Sequence, residues 1–196
     1  MQEATMPRDT SRLDMSVEFQ PVNIAVLTIS DTRTPGDDRS GDMLAERIGE
    51  DGHVLASRMI VTDDVDRITA QLQDWIEDPQ IDVIVTTGGT GLTGRDSTPE
   101  AFDRTVEKVI PGFGELFRQL SYEKIGTSTI QSRAVAGVAG GTYLFILPGS
   151  PSGCRDAWDD ILRYQLDIRH RPCNFVEIMP RLTEPASRRR TSPVDA

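Results

Sequence analysis

The chain has 196 residues, 37% of them hydrophobic and 27% charged, the balance of one soluble domain with tails. Its formal net charge of −10 argues against a nucleic-acid partner, because an acidic surface repels a phosphate backbone. No apolar run approaches the roughly 18 residues of a membrane helix, the N-terminus has no apolar signal-peptide core, and Cys154 and Cys173 form neither a zinc pattern nor a disulfide framework; a cytoplasmic protein is expected.

Residues 1–20 read as an N-terminal tail, residues 21–182 as one domain and residues 183–196 as a C-terminal tail carrying Arg188, Arg189 and Arg190. Asn23 to Ser30 is a nearly continuous apolar run, which suits a strand buried on both faces. Ser40 then opens a helix with Leu44, Ala45 and Ile48 at helical spacing; Ser40 is the expected N-cap and Gly52 the stop. Val54 to Val61 reads as a second strand. Asp63 or Asp64 caps a helix that carries Val65, Ile68, Leu72, Trp75 and Ile76 on one face. Asp82 to Thr87 is a third strand and runs into glycines. Thr98-Pro99-Glu100 starts a helix, with a capping hydroxyl, proline in the first turn and an acid at the positive dipole end. Gly112 to Ile125 gives a fourth helix with a kinked entry, Thr142 to Leu147 a fourth strand, and a last helix runs from about Ser152 to Asp167. This order predicts a single three-layer α/β domain, a mostly parallel central sheet with helices on both faces.

Such sheets bind ligands beyond the carboxyl ends of their strands. The four ends here are Ser30-Asp31, Thr62-Asp63-Asp64, Thr87-Gly88-Gly89-Thr90-Gly91 and Pro148-Gly149-Ser150, all small, polar or acidic. Gly88, Gly89 and Gly91 permit close approach and positive φ, so successive N–H groups can form an anion nest, with Thr87 and Thr90 adding hydroxyls. A tight turn without a ligand explains the glycines alone nearly as well. Gly89, Gly91 and Gly94 satisfy G-x-G-x-x-G, but the loop follows the third strand and Arg95-Asp96 intervenes before the helix, which is the wrong context for a dinucleotide site. No Gly-Lys pair exists for a Walker loop, and no G-x-S-x-G elbow for a hydrolase.

Asp96 close behind a phosphate loop suggests a cation between them; Mg²⁺ takes one or two carboxylates with phosphate oxygens and water. Asp96 is therefore the candidate Mg²⁺ ligand and Asp63 a second acid on the same rim, although either can equally serve as a helix cap. Gly149 and Ser150, at the start of the last helix, offer a second anion cradle. Arg33, Arg39, Arg95, Arg118, Arg133 and Arg155 are candidate counter-charges, each by itself an ordinary surface arginine.

AVLTISDTR, DDRSGDMLAERI, VTDDVDRI, VTTGGTGLTGRDSTPEA, GFGELFRQLSYEKIGTSTIQSRAVAG and LPGSPSG together resemble the MoaB/MogA family of molybdenum-cofactor biosynthesis proteins, and RHRPCNF resembles its MoaB branch. The resemblance covers about Ile24 to Leu182. It implies a molybdopterin-binding fold and a homo-oligomer, trimer or hexamer, with hexamers in the MoaB branch. It implies adenylylation of molybdopterin by Mg²⁺-ATP with release of pyrophosphate. By the same resemblance Asp96 and Asp63 match the essential acids, and Gly88, Gly89, Thr90 and Gly91 the nucleotide and phosphate loop, beside Ser30 and Asp31. Gly149 and Ser150 match the second ligand loop, where relatives often carry Asn at the Ser150 position. Asp38 and Ser40 match a further acid and hydroxyl around the pocket. The other reading is a non-catalytic carrier of molybdopterin or its precursor.

Overall fold

The continuous apolar strands divide their side chains between two cores. In β1 (Asn23–Ile29), Ile24 and Val26 face one side while Ala25, Leu27 and Ile29 face the other. In β6 (Thr142–Leu147), Tyr143, Phe145 and Leu147 join the first core, and Leu144 and Ile146 the second. A period of two along an all-apolar strand demands cover on both faces. The computed structural model, which describes residues 10–184, supplies it with helices on each side of one sheet.

The sheet order is β2-β1-β3-β6-β5-β4, with β2 at Val54–Val61, β3 at Val83–Thr87, β4 at Lys108–Val109 and β5 at Val135–Ala139. β2, β1, β3 and β6 run parallel. The crossover through α1 (Arg39–Glu50) goes outward from β1 to β2; that through α2 (Val65–Glu77) returns past β1 to β3. Right-handed crossovers in opposite directions place their helices on opposite faces. Accordingly Met43, Leu44 and Ile48 of α1 enter the first core and Ile68, Leu72 and Trp75 of α2 the second. α3 (Thr98–Thr105) joins α2 through Ala101 and Phe102. α4 (Pro111–Ile125) joins α1 through Phe113 and Phe117, with the helical run that begins at α5 (Pro151–Ala157) and continues through a π-helical turn at Trp158–Leu162 into α6 (Arg163–Gln165).

The three-layer α/β architecture matches the sequence expectation, and the antiparallel edge is an addition to it. β5 pairs antiparallel with β6, and β4 with β5. The β5–β6 turn is Gly140-Gly141, at φ +59° and +94°, the two positive φ values that a tight hairpin of matching twist requires. Two expected caps also shift. Asp38, not Ser40, caps α1, accepting from Gly41 N at 3.1 Å, and Ser40 lies in the first turn. Ser97 precedes α3, and the Thr98 hydroxyl donates to Gly88 O at 2.8 Å instead of capping.

The expected N-terminal tail is anchored over its described part. Leu13 bridges His170, Asp14 N donates to Arg169 O at 2.8 Å, and Phe19 lies 4.9 Å beneath the Arg169 guanidinium. Arg188, Arg189 and Arg190 lie outside the described residues. Among the described residues no helix is long and apolar enough to cross a membrane.

Candidate functional site

The four parallel strands end level. Ile29 pairs with Val61, Thr28 with Thr87, and Thr87 with Leu147, so the loops after β1, β2, β3 and β6 share one rim. The crossovers leave β1 toward β2 on one side and β3 toward β6 on the other, which makes the ends of β1 and β3 the topological switch point, where open α/β sheets form their ligand crevice.

Gly88 and Gly89 begin the glycine loop at φ +104° and +62°. A Cβ on Gly88 would lie 2.2 Å from the Ile29 carbonyl oxygen, so the loop presses against the end of β1. A Cβ on Gly89 would lie 2.9 Å from Asp63 Oδ2, and one on Gly91 2.7 Å from Asp96 Oδ2. The two acids singled out in the sequence, 33 positions apart by subtraction, thus flank one loop.

Asp63 is free for this role because its neighbour does the capping. Asp64 accepts from Arg67 N at 3.0 Å and caps α2, whereas Asp63 is buried and accepts from Ser97 N and Ser97 Oγ at 3.1 and 2.6 Å. Asp63 therefore ties the end of β2 to the far end of the glycine loop. Asp96 accepts from Thr93 Oγ1 and Thr93 N at 2.6 and 2.9 Å. Those donors, followed by the Gly91 N–H and the Arg133 charge, hold its carboxyl below the ordinary value against a partial burial cost, so it is an anion at neutral pH.

Arg133 supplies the loop's clamp. Its Nε donates to Gly91 O and its Nη2 to Asp96 O, both at 2.8 Å, while Nη1 pairs with Glu100. One guanidinium fork thus closes both ends of the segment that carries Asp96. Composition marks Arg133 only as one arginine among several; its clamp depends on the β5 edge, which sequence reading did not find. Ser97, Thr93 and Glu100 were missed as site residues too. The run Asp96-Ser97-Thr98-Pro99 contains the signal for Ser97, since only one of its hydroxyls is needed at the helix start.

The second loop lies against the first. A Cβ on Gly149 would come within 3.2 Å of Gly88 Cα. The Gly149 carbonyl accepts from Ser40 Oγ at 2.8 Å and from Arg33 Nη2 at 3.1 Å, and Thr87 Oγ1 donates to Pro148 O at 2.8 Å. Ser40 and Arg33 therefore hold the loop in place. Ser150 caps α5, its hydroxyl accepting from Gly153 N at 3.2 Å. Thr90 is buried and Ser30 turns back, its hydroxyl accepting from Arg33 N at 3.1 Å. A cleft of about 530 Å³ opens beside the rim, walled by Pro35, Met59 and Ile60 and shared with Ser30, Asp31 and Arg33.

Asp38 is a brace rather than an open pocket acid. It is buried, with Oδ2 accepting from Thr28 Oγ1 at 2.7 Å and from Arg58 Nη2 at 2.8 Å. Burial alone would raise its pKa; Arg58, Thr28 and Gly41 N–H outweigh burial and lower it from 3.8. A carboxyl lowered on folding stabilises the fold fully above its unfolded value, and that contribution is lost as pH falls through the lower folded value. Asp38→Asn is expected to lower the urea midpoint at pH 7 and to flatten the loss of stability below about pH 4. Urea titrations from pH 2.5 to 7 check this; parallel pH curves for the two proteins would contradict it.

Residues 25–168 match the family described as "Probable molybdopterin binding domain". The chain is 49% identical over 161 residues to the molybdenum cofactor biosynthesis protein B of Escherichia coli (strain K12), covering 82% of this chain and 95% of that protein.

The chain belongs to this molybdopterin-binding family.

Solved members of the MoaB/MogA family share the fold. A crystal structure of a molybdenum cofactor biosynthesis protein B superposes with a TM-score of 0.73 at 42% identity, over 75% of this chain and 92% of that one. The tungsten cofactor synthesizing protein MoaB of Pyrococcus furiosus gives 0.66 at 35% identity, over 73% of this chain and 91% of that one.

Proposed function

We propose that the protein acts in molybdenum-cofactor biosynthesis as a molybdopterin adenylyltransferase. The observation that carries this reading is the pair Asp63 and Asp96 flanking one glycine loop at the topological switch point. In the reaction, a terminal phosphate oxygen of molybdopterin bonds to the α-phosphorus of ATP. The bond from that phosphorus to its bridging oxygen breaks, and pyrophosphate leaves with the electron pair. No covalent protein intermediate is needed, so catalysis comes from positioning and charge neutralisation.

The glycine loop brings backbone N–H groups close to phosphate oxygens without side chains in between. Two carboxylates against that loop would repel phosphates by themselves, which fits a site built for a divalent cation with few protein ligands. Asp96 would hold Mg²⁺, with Asp63 sharing it or orienting the attacking phosphate. Mg²⁺ bound there would offset charge on the nucleotide phosphates and the departing pyrophosphate. Arg133 keeps Asp96 in place, and the Pro35–Met59 cleft offers apolar walls to a ring of one substrate.

A carrier of molybdopterin is the second reading. It is favoured by the bonds both acids already make within the chain, to Ser97 and Thr93, which suffice to explain them as loop-shaping residues. Pyrophosphate release measured with each substrate omitted in turn separates the two. Release that requires molybdopterin, ATP and Mg²⁺ together supports the enzyme, whereas saturable molybdopterin binding without release supports the carrier.

The family resemblance also carries a homo-oligomer, trimer or hexamer. Exposed Leu116, Tyr122 and Ile125 on α4 and Ile130 just beyond it are apolar surface that association would cover. Light scattering that gives a monomer mass contradicts it.

A further inference from the structure

The arginines around the rim differ in how firmly they are held. Arg133 is committed to two carbonyls and Glu100. Arg33 is committed to Ser40, Gly149 O and Asp38, and Arg58 to Asp38 and Asp42. Arg95 is placed otherwise. It stands on the glycine loop directly before Asp96, and its guanidinium reaches out to Asp31 at the end of β1, with Nε to Oδ2 at 2.9 Å and Nη2 to Oδ1 at 2.6 Å. The pair therefore spans the two lips of the crevice, and it is exposed, with side-chain accessibilities of 66% for Arg95 and 38% for Asp31. Asp63 and Asp64 act on the same guanidinium from β2's end.

The pair is two-pronged but exposed, so water and dissolved anions reach both partners and a stronger anion can compete for the guanidinium. A polyphosphate carries more charge than one carboxylate and matches the planar guanidinium fork as well. Asp31 has no comparable affinity for phosphate; a bare carboxylate repels it. Asp31 also accepts from Asp63 N at 3.1 Å, so its position at the mouth is fixed while Arg95, on a longer side chain, can turn.

We propose that Arg95 is a phosphate-binding residue of this site, latched by Asp31 until a polyphosphate displaces the carboxylate and takes the guanidinium. The proposal deepens the adenylyltransferase reading and rests on it for the identity of the nucleotide. It gives Asp31 a role that phosphate contact does not: Asp31 holds Arg95 away from the loop, neutralises it in the empty site, and raises the concentration of anion needed to enter.

The test is calorimetric titration of the intact protein with Mg²⁺-ATP and, separately, with Mg²⁺-pyrophosphate. The variants are Arg95→Gln, Asp31→Asn, their double mutant and Arg95→Lys. The amide oxygen that Asp31→Asn introduces can still accept from Asp63 N, so this variant removes charge without removing that bond. Arg95→Gln is expected to weaken both ligands about tenfold, the scale of one charged hydrogen-bonded contact, and Arg95→Lys to lie between. Asp31→Asn is expected to tighten both about threefold, the scale of an exposed ion pair released. In the Arg95→Gln background the Asp31→Asn gain should shrink to the smaller part that comes from removing a repelling carboxylate, since there is no guanidinium left to release.

Loss of affinity in Asp31→Asn overturns the latch, because a structural pair or a direct Asp31 contact weakens binding from either side. An equal gain with and without Arg95 also overturns it, because simple repulsion needs no latch. Unchanged affinity in both Arg95→Gln and Arg95→Lys removes Arg95 from the site. The predicted pattern with pyrophosphate but no binding of ATP keeps the latch and sinks the nucleotide reading. No binding of either by the wild type sinks both.

Discussion

Asp96→Asn is expected to reduce adenylyl transfer by at least about 100-fold, the scale seen when one preorganised charge-stabilising group is removed, while the protein stays folded. The substitution is nearly isosteric. Its amide oxygen still accepts from Thr93 N, and Arg133 still holds the backbone carbonyls of positions 96 and 91. What it loses is the full negative charge that Thr93, Gly91 N–H and Arg133 maintain at neutral pH. Stability should fall modestly at pH 7, because a carboxyl lowered on folding contributes to the folded state, but by far less than a loss of folding. Transfer rates set beside urea midpoints check both halves. An unfolded variant, or a folded one with wild-type transfer, contradicts the role given to Asp96.

Gly88→Ala is expected to be the most damaging small substitution at the rim. Two penalties add. The backbone at φ +104° lies where side chains are rarely tolerated, and the new Cβ would lie 2.2 Å from the Ile29 carbonyl oxygen. Neither can relax cheaply, because β1 and β3 are hydrogen-bonded neighbours through the preceding five residue pairs and the obstacle is backbone. Strain of this kind costs about 1–3 kcal/mol before the clash is counted, so a loss of roughly 3 kcal/mol or failure to fold is expected. Gly149→Ala should be milder, since its Cβ meets only Gly88 backbone, the nearest atom being Cα at 3.2 Å. Denaturant titration of the two variants decides the order; equal midpoints would mean that the loop is looser than this geometry requires.

The inner strands of the parallel half were legible because β1, β3 and β6 are nearly continuous buried runs, and only a sheet covered on both faces buries such runs. The antiparallel edge was not. β4 is two exposed residues, and β5 is Val-Ala-Gly-Val-Ala, too small and too glycine-broken to read as a strand. The Gly140-Gly141 pair between two apolar stretches was the available hairpin signal. The cap of α1 was missed for a different reason. Asp37, Asp38 and Ser40 all suit the start of α1, and the choice is made by Thr28 and Arg58 on neighbouring strands, which reach Asp38.

The candidate site shows the same division. The glycine loop and its two acids stand out because each follows a strand end, and a doubly wound sheet collects such ends. The groups that hold them do not stand out. Arg133 reaches Gly91 from 42 positions away and Arg95 reaches Asp31 from 64, and no local pattern announces either bond. Long-range side chains set the loop's shape, and it is the shape that decides whether Asp96 is a cap or a metal ligand.

The central claim is that the rim transfers an adenylyl group. It is tested most directly by incubating the protein with molybdopterin, Mg²⁺ and ATP labelled at the α-phosphate, with Asp96→Asn in parallel. The account predicts label on the pterin with the wild-type chain and a loss of at least about 100-fold in the variant. Molybdopterin bound at saturation with no label transferred would contradict it and leave a carrier.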